Sequence, residues 1–180
     1  MNIKTLLAPL LFCSVLALSA CDSSNTSDET AEKGTSILDS QATMVLPDGF
    51  VRMPQEMLEK KYPAAQRPKE AWYVESENGK VSIAFSVTEN AISEAQIPQF
   101  AGMMKNQMKA FSPSLSDVTV NGKKMSRLEI TTPASDGKIF NVMQFSSLNG
   151  KLLISTFNAT EDLKDKYSQV GKDALSTLDY

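Results

Sequence analysis

Histidine is absent from all 180 residues. That removes imidazole from every acid–base, nucleophilic and metal-binding scheme, so Ser-His-Asp and Cys-His catalysis and His-ligated zinc or copper are excluded. Carboxylates remain as the acid–base option. Glu75 and Glu77 lie beside a hairpin turn, where solvent keeps both ionised, so the paired carboxylates of a glycosidase are not expected. Glu161, Asp162 and Asp165 fall on one solvated helix face and lack the spacing of a calcium loop. No phosphate-cradling or dinucleotide-binding glycine pattern occurs. Met103, Met104 and Met108 have helical spacing, which suits core filling better than copper binding. No catalytic set, metal site or cofactor is expected.

What remains is recognition chemistry. Lys60, Lys61, Arg67 and Lys69 form the densest run of cations in an acidic chain, and Tyr62 and Tyr73 lie among them. Pro63 and Pro68 restrict the intervening loop, so less entropy is lost when a partner orders it. These six residues are the candidate partner-binding set, facing an acidic partner or anionic headgroups. Trp72 and Tyr73 are adjacent on an expected strand and therefore point to opposite faces.

The residue with the clearest chemistry is Cys21. Lys4 supplies a short positive start, residues 6–18 are almost wholly apolar, and Leu18-Ser19-Ala20-Cys21 follows. The apolar run is shorter than the about 20 residues that a permanent span needs. Charge, apolar run and small residues before a cleavage point define a signal peptide over residues 1–20. The tetrapeptide resembles the bacterial lipobox, which implies that Cys21 carries a diacylglycerol on sulfur and a third acyl chain, palmitate or similar, on its freed amine. Two chains already give stable anchoring, at about 0.8 kcal/mol per buried CH₂. Asp22 then resembles the sorting residue that retains lipoproteins on the periplasmic face of the inner membrane in a Gram-negative host.

Cys13 leaves with the signal and Cys21 is acylated, so the folded domain is expected to have no disulfide and no thiolate ligand. Loss of residues 1–20 removes one lysine and no carboxylate, leaving a net charge of −4 where the full chain has −3. An exported acidic domain is a poor partner for nucleic acid. Residues 21–36 read as the lipidated cysteine with a polar, disordered tether. Residues 37–180 then form one domain.

The elements that must position the candidate residues follow from pattern. Thr43 to Leu46 reads as a strand ended by Pro47-Asp48-Gly49. Pro54 to Lys61 reads as a short helix, with Pro54 in its first turn and lysines in its last. Strands at residues 71–75 and 80–88 flank Asn78-Gly79, the dipeptide of a type I′ hairpin. An amphipathic helix is expected from Ser93 to Ala110, opened by a Ser93/Gln96 capping box, with Ile97, Phe100, Ala101, Met104, Met108 and Phe111 on its buried stripe. Four strands follow, joined at Asn121-Gly122, Asp136-Gly137 and Asn149-Gly150. A last helix is expected to be capped by Thr160 and to bury Leu163, Tyr167, Val170, Ala174 and Leu178, with Gly171 allowing close approach to the sheet. Six to seven strands in a meander, with helices covering the sheet, give an expected α+β layered domain.

The lipobox, the polar tether and this element order resemble the DcrB-type lipoproteins of the PsbP/Mog1-like superfamily. Gln41 to Leu178 carry the resemblance, through the Leu46-Pro47 strand end, the Trp72 strand, the hairpin into Val81–Val87 and the glycine-punctuated meander. It implies a twisted antiparallel sheet of six to seven strands packed between helices, and a non-catalytic, membrane-tethered envelope module that binds or assembles another envelope protein. A small-ligand or lipid-binding lipoprotein is the alternative, which a deep apolar cavity between sheet and helix would favour.

Overall fold

The structure is a computed structural model that describes residues 34–134 and 137–180. Cys13, Cys21 and Asp22 lie outside the described residues, as do the signal peptide and most of the tether.

Three Asn-Gly pairs turn the chain between strands, two of them in the meander and one, Asn78-Gly79, after a 3₁₀ turn over Glu75–Glu77 that makes the first hairpin's loop longer than expected. Asn78, Asn121 and Asn149 have φ of 51°, 47° and 51°, and the glycines after them lie between 77° and 79°. These left-handed pairs match the twist of the strands that they join. The resulting seven-stranded antiparallel sheet contains β3 (Phe50–Arg52), β4 (Glu70–Val74), β5 (Val81–Ala91), β6 (Ser114–Val120), β7 (Lys123–Ala134), β8 (Gly137–Leu148) and β9 (Lys151–Thr160). Their spatial order is β3-β4-β5-β9-β8-β7-β6. Asp136 of the third expected turn lies outside the described residues, and the flanking register, Ala134 opposite Gly137, is that of a tight hairpin.

A separate ribbon pairs β1 (Thr35–Ile37) with β2 (Ala42–Met44). The ordered domain therefore starts two residues before the expected boundary, because Thr35 and Ser36 pair with Met44 and Thr43. Leu38, Asp39 and Ser40 connect the two strands with φ of 54°, 55° and 65°. Three consecutive left-handed residues without glycine are strained. They are pinned from outside: the Leu38 N–H donates to Glu70 Oε2 at 2.9 Å, and Lys69 pairs with Asp39 at 3.1 Å.

Period-two alternation gives the sheet two faces. Val81, Ile83, Phe85, Val142, Phe157 and Ala159 form the larger core, under α3 (Lys164–Leu175) and the β1–β2 ribbon. The other face carries α1 (Gln55–Lys61) over Ala71, Tyr73 and Ala84, and α2 (Ile97–Gln107) over Leu128, Phe145 and Leu152. The α+β sheet between helices is thus as expected.

The helices differ from expectation at their ends. The Ser93/Gln96 capping box forms around a 3₁₀ turn, so α2 begins at Ile97 and Pro98 falls in its first turn, where no backbone bond is lost. The last turn tightens to 3₁₀ over Lys109–Phe111 and rotates Phe111 out of the buried stripe, to 45% exposure. Thr160 holds the cap position before another 3₁₀ turn but makes no capping bond. In α3 the stripe turns toward Gly171, Ala174 and Leu175, leaving Val170 half-buried. Among the described residues no helix is long and apolar enough to cross a membrane.

Candidate functional site

The face that bears α1 and α2 is not closed between them. Ile139, Asn141 and Met143 of β8 and Ile154, Thr156, Asn158 and Thr160 of β9 stay half-buried along this gap. The register places Lys80, Thr160 and Ile139 in one row across the strands, with Ser82, Asn158 and Asn141 in the next.

At one end the gap deepens into a groove of about 690 Å³. Met57, Lys60, Lys61 and Tyr62 from the C-terminal end of α1 form one wall, and Asn78, Gly79 and Lys80 of the β4–β5 turn close the end. Asn141, Asn158, Thr160 and Ile139 lie on the floor, and Ala134 marks the far side. The Lys61 ammonium bonds the Gly79 carbonyl and so ties helix to turn. Lys80 reaches Asp162 at 3.2 Å on the rim. Asn141 Nδ2 is committed to Thr132 Oγ1 at 3.1 Å and to the Ile139 carbonyl at 2.9 Å. Burial holds the Tyr62 phenol above its ordinary pKa, with the neighbouring Ser82 hydroxyl pulling the other way.

Among the described residues the lining includes three lysines and no carboxylate, thiol or imidazole. It can attract anions and bond polar groups. Among the described residues no three carboxylates or other candidate ligands are placed to hold a metal ion.

The six residues singled out by sequence do not form one surface. Lys60, Lys61 and Tyr62 meet in the groove. Arg67 turns to Glu59, at 3.4 Å, on the outer side of α1. Lys69 faces the ribbon and pairs with Asp39. Tyr73 is only 7% exposed beneath α1, because its strand face is the one that the helix covers, and so it offers no surface anchor. Lys80 and the Asn141–Asn158 floor complete the groove and were missed. Asn158 and Thr160 belong to the polar phase of an alternating strand, a pattern that reads as solvent-facing unless a helix is known to stand beside it.

Two further carboxylates tie elements of the fold together. Glu70, 5% exposed, accepts from the Leu38 N–H and from Trp72 Nε1 at 2.8 Å, and Arg52 lies 3.4 Å away. Two smaller clefts, about 310 and 230 Å³, flank this Arg52–Glu70 pair. Glu77 accepts from Lys166 and from the Tyr167 hydroxyl, each at 2.8 Å, clasping the hairpin turn to α3. These two bonds hold its carboxyl below the ordinary value, and the same contact pushes Lys166 up to about 12.

No protein-family model and no curated protein sequence matches this chain. Among solved structures it is similar to the cyanobacterial PsbP of Synechocystis, with a TM-score of 0.53 and 12% identity over 82% of this chain and 92% of that one. It is also similar to the Ran-binding protein Mog1p of Saccharomyces cerevisiae (TM-score 0.47, 9% identity, 81% and 93% covered). A third likeness is to LpqN, involved in cell envelope biogenesis of Mycobacterium tuberculosis (TM-score 0.44, 14% identity, 84% and 88% covered). The likeness to PsbP carries the assignment of a PsbP/Mog1-like fold, and at such identity it speaks for the fold alone.

Proposed function

We propose that this chain is a lipid-anchored envelope lipoprotein of the DcrB kind, whose folded domain is a non-catalytic module that binds another envelope protein. Cys21 carries the acyl chains, Asp22 retains the protein at the periplasmic face of the inner membrane in a Gram-negative host, and the residues after them tether the domain. One observation carries the binding role: the sheet face between α1 and α2 is left open, whereas α3 and the N-terminal ribbon cover the opposite face. The groove in that gap offers recognition groups without reacting ones.

In-cell photocrosslinking tests this reading. Benzoylphenylalanine placed at Met57 or Ile139 of the full-length, lipidated chain should capture a discrete envelope protein. The same probe at Gln169, exposed on α3, should not. Absence of a product from either groove position, or equal products from all three, overturns the reading. A small-ligand or lipid-binding role is the second reading, and the groove volume favours it, since it falls within the roughly 300–1,000 Å³ of small-molecule sites. That role would show instead as a bound small molecule in native mass spectrometry of the detergent-extracted chain.

A further inference from the structure

The groove is asymmetric, and its two ends ask for different chemistry. Lys60 and Lys80 stand at the α1 and hairpin end, with Lys61 fixed between helix and turn. Ile139 and Ala134 lie at the other end, toward the β7–β8 turn. From β5 to β7 the sheet crosses three interstrand spacings, about 14 Å at 4.8 Å each. Four residues of extended chain cover about the same length. Between the two ends the Asn158 side chain lies half-buried on the floor, and unlike Asn141 it has no side-chain hydrogen bond among the described residues, so its amide can both donate and accept.

The charge pattern selects the partner. The whole chain has a net charge of −3, yet among the described residues the groove lining includes three lysines and no carboxylate. Lys60 is exposed and has no ion-pair partner among the described residues, while Lys80 shares Asp162 on the rim. A carboxylate entering at this end meets Lys60 directly and competes with Asp162 for Lys80. In an extended chain, alternate side chains point the same way, so an acidic residue at the lysine end places the second and fourth residues after it toward Ile139 and Ala134.

We infer that the groove binds an extended segment of a partner protein, with a carboxylate seated between Lys60 and Lys80, its backbone read by Asn158, and apolar side chains two and four residues on seated over Ile139 and Ala134. This inference rests on the binding-module reading above and gives it a partner chemistry. The segment crosses the strands rather than extending the sheet, so its affinity comes from side-chain seating and from the Asn158 amide, not from an edge ladder.

The test uses the full-length lipidated chain in phosphatidylcholine nanodiscs and fluorescent peptides. The first peptide is Ser-Glu-Thr-Val-Ser-Leu-Ser. In the second, Lys replaces Glu, and in the third, Ser replaces both Val and Leu. The first should bind saturably, and each of the others at least ~10-fold more weakly. Raising salt to ~0.5 M should weaken the first peptide and leave the third-to-first ratio governed by the apolar contacts. Lys60→Glu and Asn158→Asp should each weaken the first peptide at least ~5-fold, while Lys105→Glu on the outside of α2, an equal change in net charge, should leave it within ~2-fold. Melting temperatures close to that of the parent confirm that the variants are folded. The Lys60 change, on an exposed side chain, keeps the test valid if Asn158→Asp does not fold.

No binding of the first peptide, equal binding of the second, or equal loss in Lys105→Glu overturns the inference. So does capture of phosphatidylglycerol vesicles with no peptide binding, which would make the lysines a lipid-surface contact. If the peptide fails while groove-placed crosslinks to an envelope protein persist, the partner chemistry is wrong and the binding module stands. If the crosslinks fail as well, both fall.

Discussion

Gly171 shows how one missing side chain sets a helix against a sheet. A Cβ at this position would lie 2.3 Å from the ring of Phe157, which is fully buried. Gly171→Ala gains up to about 1 kcal/mol of helix propensity but forces ring and helix apart. Overpacking of this kind costs about 1–3 kcal/mol, so the variant should unfold at lower urea concentration with an unchanged slope. A midpoint equal to the parent's would show that Phe157 can turn aside at no cost. The need for glycine here was legible, because Gly171 follows Val170 within the apolar phase of the last helix. The candidate site was less legible at this scale. Lys60, Lys61 and Tyr62 were found because consecutive residues at a helix end stay together in space. Arg67, Lys69 and Tyr73 were grouped with them by chain proximity, which a loop and a strand then undo: Arg67 meets Glu59, Lys69 meets Asp39, and Tyr73 goes under α1.

Between elements, the docking of α3 depends on polar groups that sit inside the core. Arg127 of β7 and Gln144 of β8 are directly paired and buried. The guanidinium donates to Gln144 Oε1 at 2.6 and 3.2 Å and to Ser176 Oγ at 3.1 Å. Gln144 Nε2 donates in turn to the Leu175 carbonyl at 2.9 Å, satisfying an end carbonyl of α3. Burial pushes the guanidinium pKa below its ordinary value, with Glu129 and Asp173 opposing. Gln144→Leu leaves a buried cation and a helix carbonyl without their partner, and should cost about 3 kcal/mol in urea unfolding. Adding Arg127→Leu should recover part of that loss, and simple additivity of the two changes would rule out the coupling. This network was not legible, since a polar residue in a strand reads as the solvent phase of an alternation until a helix is placed over it. Turns and caps were legible because Asn-Gly pairs and the Ser93/Gln96 box act through their own backbone and need no distant partner. The β1 strand was missed because three polar-flanked residues carry too little periodicity to be told from a tether.

For the whole molecule, the anchor is the expectation that solution work can decide first. Cys21→Ser should abolish incorporation of labelled fatty acid and leave an unprocessed, slower-migrating precursor. A processed, membrane-bound Cys21→Ser protein would refute the lipoprotein reading. The antiparallel meander and the α+β layering were legible from turn dipeptides and alternation, whereas the β5–β9 pairing was not, because no tight turn joins those strands, and neither was the lacing of the β1–β2 ribbon to residues 177–179. Thr43 and Asp179 exchange backbone bonds at 2.8 and 2.9 Å, and the Val45 N–H donates to Thr177 Oγ1 at 2.8 Å. That lacing has a mechanical meaning. A pull arriving through the residues before Thr35 loads β1 first, and then the left-handed turn at Leu38–Ser40 that Glu70 pins. Once that pin slips, the turn relaxes toward ordinary backbone, and residues 35–41 pay out about 20 Å of slack. β2 bears the same load through its pairing with β1 and passes it to Asp179, on the side of the molecule away from the groove. Because Ile37, Leu38, Ala42 and Met44 belong to the same core as the sheet, peeling the ribbon under such a pull should uncover one face of the sheet while leaving the face between α1 and α2 as it is.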